Sequence, residues 1–331
     1  MQFRRTIPTD TVTPAAPAVV DLSFAECDQF AEAIRHEGVE MVQTTAGRFA
    51  NQVRLIPLTQ TLMRYGVHQG PFVCSGTALS GHVSVVLDPV SQGPTTQNGE
   101  AIYEAQALGM YGSRAEHFSR SSPGEYFYVP FPEAQFHAAW HAAAGGDDAI
   151  GPAQFRRVRP EGRRWQALLD TIAAIRNRAA AAPESFHDPR MRAAVERSLL
   201  SAIMLAIAAD QARTPPVATR LAARERPAVV RRMLDYLRAH AHEPVYVLDL
   251  CTATGVSERP LRDAFLEYFG MGPMRYLKLR RLHHARRTLR EGNADSVKAV
   301  ALANGFWELG RFAVQYRQLF GEPPSETLRR G

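Results

Sequence analysis

Two stretches near the C-terminal end share one pattern, and this repetition constrains the fold of the 331-residue chain more than any other feature. Residues 250–270 and 300–321 each predict a short apolar helix, a break at a glycine, and a second helix that ends in aromatic residues and glycine. This is the pattern of a helix-turn-helix motif, whose second helix enters the major groove of DNA. One such helix pair is common in helical proteins. Two pairs with a basic helix between them predict a helical DNA-binding domain.

The second helix of the first motif carries the stronger candidates for base contacts. Residues 258–269 predict a helix with one apolar face, and Ser257 suits its N-cap. Arg259 and Arg262 lie on another face, and a guanidinium group can form two hydrogen bonds with a guanine. Asp263 lies one turn from Arg259, so surface ion pairs are the alternative. Because the motif occurs twice, we expect Arg259 and Arg262 to contact DNA, and we count Ser257 at the same end of the helix among the expected DNA contacts.

The second motif offers fewer groups that can form hydrogen bonds with bases. Leu309 and Ala313 can touch a thymine methyl group, and Arg311 and Arg317 suit phosphates better than bases. We expect this half to add affinity and a weak preference, while the first motif supplies most of the specificity. The expected DNA contacts here are Leu309, Gly310, Arg311, Ala313 and Arg317.

Residues 273–290 predict one basic helix that joins the two motifs. A helix of 18 residues is about 27 Å long, so it can hold two recognition helices about one DNA turn, roughly 34 Å, apart. Its cations are expected to neutralise phosphates, and the alternative is a solvated basic surface. The phosphate contacts that we expect are Arg275, Lys278 and Arg281, with further charge from Arg280, Arg286, Arg287 and Arg290.

Charge is concentrated in the same part of the chain. From Arg220 onward there are 20 Lys and Arg against 12 Asp and Glu, which is +8, whereas the whole chain carries +6. A basic domain beside a near-neutral one suggests where an acidic polymer binds, although an arginine-rich surface is the simpler explanation of charge alone. No apolar run approaches the roughly 20 residues of a membrane span. The three cysteines fit no zinc spacing, so we expect a reduced, cytoplasmic protein.

The N-terminal part predicts a different architecture. Residues 24–37 suggest a helix, and residues 39–131 contain short runs with a period of two between turns, which predict an antiparallel sandwich or barrel. Helices are predicted over 132–144, 163–178 and 189–212. The wide apolar stripe of the last one must bury against the β domain or against the same helix of a second subunit. The chain is thus expected to be α+β, with a flexible tail (1–20), a β domain (21–145), a helical region (160–212), a linker (213–226) and the DNA-binding domain (227–331).

The residues 245–289 and 297–330 together resemble the DNA-binding domain of AraC/XylS-type transcription regulators. The resemblance covers about residues 227–330 and implies base contacts from Arg259, Arg262 and Asp263, and near Leu309, Gly310 and Ala313. The chain departs from the family in the second motif, where Leu309 and Gly310 replace polar residues. The matching residues are Ala253, Gly255, Val256, Ser257, Leu261, Phe265, Gly270, Pro273, Tyr276, Arg280, Ala285 and Leu289, then Val300, Ala301, Gly305, Phe306, Phe312, Tyr316, Phe320, Gly321, Pro324 and Ser325.

The N-terminal part is similar in outline to the cupin-like sensor domains of the same family. This resemblance implies an unidentified small-molecule effector, a homodimer, double-stranded DNA as the main partner, RNA polymerase as a further one, and a role in transcription activation. The effector pocket is expected to be lined by strands within 60–68, 83–87 and 125–131. We expect no cofactor, no metal and no catalytic residue.

Two alternatives place chemistry in the N-terminal domain. A cupin-type metal-dependent enzyme would need three converging ligands, for which His68, His82 and His117 are candidates, and His137 with His141 form a helical pair. A sensor of alkylation or redox state would use a cysteine such as Cys74, although no run of cations lies near it to activate the thiol. Both alternatives would keep the DNA-binding domain.

Overall fold

The computed structural model describes eight stretches of the chain, and all structural statements refer to them. These are residues 19–34, 39–47, 49–102, 106–144, 149–208, 221–240, 243–292 and 294–330. The expected flexible tail therefore falls almost wholly outside the described residues, as does most of the expected linker.

The described N-terminal residues form two antiparallel sheets. The first has the strand order β1-β3-β4-β11-β6-β9-β12, and the second β2-β5-β10-β7-β8. The strands are β1 Val20–Phe24, β2 Glu40–Gln43, β3 Asn51–Pro57, β4 Leu62–His68, β5 Phe72–Thr77, β6 His82–Ser91, β7 Thr96–Gln97, β8 Glu100–Ala101, β9 Leu108–Tyr111, β10 Glu116–Ser121, β11 Gly124–Pro132 and β12 Phe155–Val158. The period-two pattern of the sequence thus produced the expected antiparallel domain, and the α+β fold class is confirmed.

Four helices belong to the N-terminal part: α1 Cys27–Ala33, α2 Glu133–Ala144, α3 Gly162–Ala181 and α4 Pro189–Ala208. Helix α4 buries Leu199, Ile203 and Ile207 in a core shared with α2, α3 and the first sheet. Of the two expected positions for its apolar stripe, packing against the β domain is therefore the one observed. Strands β1 and β12 were not expected: β1 runs from the last residue of the predicted tail to the first residue of the predicted helix 24–37, and β12 follows the Gly-rich break.

The C-terminal part is helical, and its core packs around α8. The helices are α5 Leu221–Ala239, α6 Val247–Thr254, α7 Glu258–Phe269, α8 Pro273–Arg290, α9 Val297–Ala303, α10 Leu309–Phe320 and α11 Pro324–Arg330. Gly255 follows α6 with a φ of 70°, which a residue with a side chain rarely adopts, so this glycine permits the tight turn of the first motif. Helix α5 begins six residues before its expected start, so the end of the predicted linker is helical; Leu221–Arg226 are good helix formers that precede Pro227.

The two parts of the chain share one apolar core. Val42 of β2, Val73 of β5 and Phe118 of β10 are buried together with the residues of α5 to α10. The ring centroids of Phe118 and Phe269 are 4.2 Å apart. The second sheet is therefore the surface on which the helical domain packs. Within the described residues, no helix is long and apolar enough to cross a membrane.

Candidate nucleic-acid interface

Helix α7 separates a buried face from a charged one. Leu261 and Phe265 are fully buried in the core, whereas Arg259, Arg262 and Asp263 are exposed on the opposite side. Apolar residues at i and i+4 hold the helix in place, so the charged side needs no role in folding. The arrangement presents two arginines near the N-terminal end of the helix, as the sequence predicted.

Ser257 occupies the N-cap position of α7, as expected from the sequence. Its side chain, however, makes no capping hydrogen bond with the helix. The residue is exposed at the same end of the helix as Arg259 and Arg262. Because the first backbone N–H groups of a helix favour negative charge, this end can also accept a phosphate oxygen.

Helix α10 is built in the same way but presents different chemistry. Phe312, Tyr316 and Leu319 form its buried face. Gly310 and Arg317 are exposed on the other side. The remaining expected contacts are Leu309, which is 36% exposed, Arg311, whose side chain is 72% exposed and lies 3.5 Å from Glu308, and Ala313, which is partly buried.

Two apolar residues beside this face were not identified from the sequence. Trp307, in the turn before α10, is 78% exposed, and Val314 is 56% exposed. The sequence did contain a signal: a tryptophan directly before a recognition helix, at a position outside the apolar periodicity of the core.

Helix α8 is not the solvated basic rod that the sequence suggested. Arg280 is 1% exposed and Arg286 is 6% exposed, so the expectation that these two arginines neutralise phosphates is wrong. A pattern of charges within one segment does not reveal a partner more than two hundred residues away. The partners are carboxylates of the N-terminal domain.

The first of these contacts joins the middle of α8 to the start of β2. The Nε atom of Arg280 lies 2.9 Å from Oε1 of Glu40, and Nε2 of His284 lies 3.4 Å from the same oxygen. Burial alone would raise the pKa of Glu40, but the hydrogen bond from His284 and the charge of Arg280 hold it down at about 2. Burial lowers the pKa of His284, against the effect of its bond to Glu40. Glu40 is therefore an anion over the physiological pH range.

A second histidine of α8 bridges two N-terminal elements. The backbone N–H of Gln43 donates to Nε2 of His283 at 3.0 Å, and Nδ1 of the same ring lies 3.2 Å from Oδ1 of Asp28. Since Nε2 accepts a hydrogen bond, the proton of the neutral ring is on Nδ1 and is donated to Asp28. Burial tends to raise the pKa of Asp28, but His283 and nearby arginines bring it below its usual value.

The third contact joins the end of α8 to Glu26, the residue before α1. Arg286 donates to Oε1 of Glu26 at 2.8 Å, and Arg290 contacts the other carboxylate oxygen. Arg286 also lies 3.2 Å from Glu322, close to α11. Ion pairs with this degree of burial are costly to break on one side, because the remaining charge loses its partner.

The three cations expected to contact phosphates have different surroundings. Arg275 is exposed, and its NH2 group donates to the backbone carbonyl of Thr44 at 3.2 Å. Lys278 is partly buried. Arg281 donates to the carbonyl of Gly305 at 3.3 Å, and its guanidinium lies 5.2 Å from the ring centroids of both Tyr246 and Phe306.

A cavity of about 90 Å³ lies between the two sheets of the N-terminal domain. Strands β4, β6 and β11 contribute to its wall, as the sequence analysis expected, and β2, β5 and β10 of the second sheet form the other side. Its lining contains both polar and apolar side chains. The residues include Arg64, Ser84, Asp88, Tyr128, His117 and Ser119, together with Phe30, Ile34, Val39, Met41, Phe72 and Cys74.

The second sheet is a single layer between this cavity and the helical C-terminal domain. On β2, Met41 lines the cavity and Val42 enters the helical core. On β10, Ser119 lines the cavity while the neighbouring Phe118 packs on Phe269. Successive side chains of a strand point to opposite faces. The cavity and the helical core therefore share strands β2 and β10.

The histidine sets considered for a metal do not converge. In the described stretches of the chain, no group of three or more His, Cys, Asp or Glu side chains is placed to hold a metal ion. His68 instead contacts the carbonyl of Gly70 at 3.1 Å, and burial lowers its pKa. His137 lies 4.0 Å from Glu133, one helical turn away. Cys74 is buried in the wall of the cavity.

Comparison with known proteins places the same residues in a known class. A family profile described as a helix-turn-helix domain matches residues 250–330. The probable thc operon regulatory protein of Rhodococcus erythropolis is 42% identical over 105 residues, which are 31% of this chain and 32% of that protein. The XylDLEGF operon transcriptional activator 3 of Pseudomonas putida is 36% identical over 101 residues, which are 30% of each chain.

One solved structure is similar over almost its whole length. It is that of a probable AraC family transcriptional regulator from Rhodopseudomonas palustris, with 42% identity over 31% of this chain and 95% of that chain, and a TM-score of 0.28. The chain spans about a third of the length of the thc and XylDLEGF regulators. The sequence similarity to these regulators is confined to the C-terminal third of this chain.

Proposed function

Because the chain belongs to the AraC family of helix-turn-helix proteins, we propose that it is a transcription regulator whose helices α7 and α10 occupy successive major grooves of one operator. The observation that carries this proposal is the pair of motifs, each with a second helix buried on one face and exposed on the other. The excess of Lys and Arg after residue 220 supplies the attraction to phosphates. A protein that binds genomic DNA acts where the DNA is, which for a bacterial-type regulator is the cytoplasm.

The proposed DNA contacts fall into three groups. Helix α7 and its N-cap supply base contacts, α10 supplies base and backbone contacts, and α8 supplies phosphate contacts between them. Arg281 stands out among the last group because it also packs on Tyr246 and Phe306. The full set is Ser257, Arg259, Arg262 and Asp263, then Leu309, Gly310, Arg311, Ala313 and Arg317, and finally Arg275, Lys278 and Arg281.

We also propose that a small molecule in the cavity controls DNA binding. The second sheet supports this proposal, since its alternate residues line the cavity and pack on the helical domain. A ligand shifts such an equilibrium only if it binds the two arrangements of the domains with different affinities. A coupling of about 1–3 kcal/mol, which is roughly 5- to 150-fold in affinity, is typical.

DNA binding is tested first, with the full chain. Duplexes selected from a random pool are compared with random competitor by fluorescence anisotropy at moderate ionic strength. We expect a selected site that covers two successive major grooves and is preferred by at least about 10³-fold. If no duplex is preferred over competitor, the regulator proposal is wrong.

The effector is sought by thermal denaturation of the full chain with a panel of metabolites. A ligand at 100 times its Kd adds about 2.7 kcal/mol to the stability of the folded state. A compound that binds the cavity should raise the melting temperature of Ser119→Val, in which the cavity wall is changed, by less than that of Arg197→Ala. Arg197 is an exposed residue of α4 and serves as the control. Equal shifts would place the compound elsewhere.

The oligomeric state and the partner proteins complete the proposal. We propose a homodimer, as the family resemblance implies, with RNA polymerase as a partner in activation. The similar proteins are transcription regulators, and we propose that this chain likewise has no catalytic function. Nothing in the described stretches favours the metal-dependent enzyme or the cysteine-based sensor.

A further inference from the structure

We propose that α10 recognises thymine methyl groups through an apolar recognition surface formed by Trp307, Leu309, Gly310 and Val314. The inference rests on the proposed function and adds the chemistry of the second half-site, which would be rich in A·T pairs. Guanine recognition would then be confined to the half-site of α7. Of the three side chains on this surface, only that of Trp307, through its indole N–H, can form a hydrogen bond with a base edge.

The exposure of Trp307 is the first observation behind this surface. The chain has three tryptophans, of which Trp140 and Trp165 are 0% and 8% exposed. Trp307 is 78% exposed and is the most exposed of the large apolar side chains identified in the described residues. Single exposed apolar residues are common on proteins, but here Val314 and Leu309 of the adjoining helix α10 are also 56% and 36% exposed. The fold gains nothing from this exposure.

Gly310 is the second observation, and it is independent of the first. It is the second residue of α10, its φ is not positive, and an added Cβ would meet no atom within 4 Å. Neither the backbone nor the packing therefore requires glycine. Glycine is a poorer helix former than alanine. A residue that the fold does not need, at an exposed position, fits a site where another molecule approaches the backbone closely.

The position of these residues identifies the occupant as DNA. Gly310 and Val314 are one turn apart, on the side of α10 that faces away from Phe312 and Tyr316. Arg311 and Arg317 flank them and are exposed, which suits the phosphates on either side of a groove. In the major groove, thymine is the base that offers an apolar group, its C5 methyl. An apolar recognition helix between cations is thus complementary to thymines between phosphates.

A thermodynamic cycle with uracil tests the proposal directly. Uracil lacks the methyl group of thymine and keeps all hydrogen-bonding groups. With the selected operator, replacing thymines by uracils in the α10 half-site should weaken binding of the full chain about 4-fold per contacted methyl, as expected for one buried carbon. The same replacement should have little effect on Trp307→Ala. The control Arg197→Ala should behave like the unchanged protein.

Gly310→Ala separates a role in binding from a role in folding. Because the added methyl group meets open space, we expect the protein to unfold at the same or a higher urea concentration. Its affinity for the operator should nevertheless fall at least several-fold, since the backbone can no longer approach the bases. A Gly310→Ala protein that keeps full affinity would remove the second observation and contradict the proposal.

Fluorescence reports whether DNA covers Trp307. Acrylamide is a neutral quencher and should quench Trp307 but not the buried Trp140 and Trp165. Saturating operator should suppress this quenching, and Trp307→Phe should abolish the quenchable fraction with or without DNA. Quenching that persists in the complex would overturn the proposal and point to a protein, such as RNA polymerase, as the occupant.

The outcomes separate this inference from the function on which it rests. If the chain binds a selected operator but uracil has no effect, or has the same effect on Trp307→Ala, the apolar surface does not contact thymine and only this inference fails. If the chain prefers no duplex, the proposed function fails. Sensitivity to uracil in the α10 half that is lost in Trp307→Ala supports both.

Discussion

Helices α7 and α10 have the same architecture but present opposite chemistry. Each follows a short helix and a glycine turn. Each also buries aromatic residues on its core face, among them Phe265 in α7 and Phe312 in α10. The exposed face of α7 carries Arg259 and Arg262. In the second motif, the exposed residues include Trp307, in the turn before α10, and Gly310 within the helix. The core face fixes the fold, so the opposite face is free to differ. One scaffold can thus contact two half-sites by two kinds of interaction.

The two helices also differ in their contact with the N-terminal domain. The end of α7 packs on β10, with Phe269 against Phe118. Helix α10 contacts α9 and α11 within its own domain. A change in the second sheet therefore reaches α7 and α8 directly and reaches α10 through them. We infer that a ligand in the cavity acts first on the motif that contains α7, to which we assign most of the base-specific hydrogen bonds.

The largest expected effect concerns the contact between Phe118 of β10 and Phe269 of α7. Phe118→Ala should lower the free energy of unfolding by about 3–5 kcal/mol, the usual cost of removing a buried aromatic ring. Hydrogen exchange should show that amides at the end of α7 lose protection before those of α10. The control is Phe136→Ala, which removes an equally buried ring from the other core. Equal loss of protection in α7 and α10 would contradict the difference between the helices.

The next effect concerns DNA binding by α7. Arg262→Ala should cost about 1–3 kcal/mol of operator affinity and relax the preference at one base pair in the α7 half-site. Arg197→Ala, which removes an exposed arginine from α4, is the matched control. Selection from a random pool with each protein measures the change. An unaltered footprint and affinity for Arg262→Ala would show that α7 is not the guanine-contacting helix.

A smaller effect is expected from the helix between the motifs. Lys278→Ala should weaken binding to all duplexes alike and reduce the slope of log K against log salt concentration by about one. Titrations at several salt concentrations, with the selected operator and a random duplex, provide the measurement. A loss that depends on sequence would assign Lys278 to the bases and remove the distinction between α8 and the recognition helices.

The smallest effect depends on pH and acts on the face of α8 that contacts the N-terminal domain. His284 lies against Glu40, with Arg280 and Arg287 nearby, and burial lowers the pKa of its ring. The unfolded chain therefore binds a proton more readily, so this contribution is present above about pH 6.5 and is lost as the pH falls below it. Glu40, with a pKa of about 2, stays ionised throughout. Urea unfolding should show lower stability at pH 5.5 than at 7.5, and a smaller difference in His284→Gln.

The order of helices in the C-terminal domain could be predicted because its boundaries are marked locally. Gly270 ends α7 in the left-handed conformation, and Pro273 opens α8 at its first turn. Gly321 ends α10 in the same way as Gly270. The limits of α7 and α8 accordingly agree with the helices predicted over residues 258–269 and 273–290. The exposed arginines of α7 also followed from periodicity, because a helix has only one face to bury.

The role of α8 could not be predicted in the same way. Its sequence contains the arginines but gives no indication that Glu26 and Glu40, more than two hundred residues earlier, bury Arg280 and Arg286. Trp307 was missed for a different reason. Its position outside the apolar periodicity of the core was a signal in the sequence, and the structure shows that the side chain is 78% exposed.

An interference footprint on one selected operator tests the central claim most directly. The duplex carries either methylated guanine N7 atoms or uracil in place of thymine, one modification per molecule, and the bound and free fractions of the full chain are sequenced. We predict guanine interference in one half-site and uracil interference in the other, with centres about one helical turn apart. Both kinds of interference within a single half-site, or neither in any part of the duplex, would contradict the account.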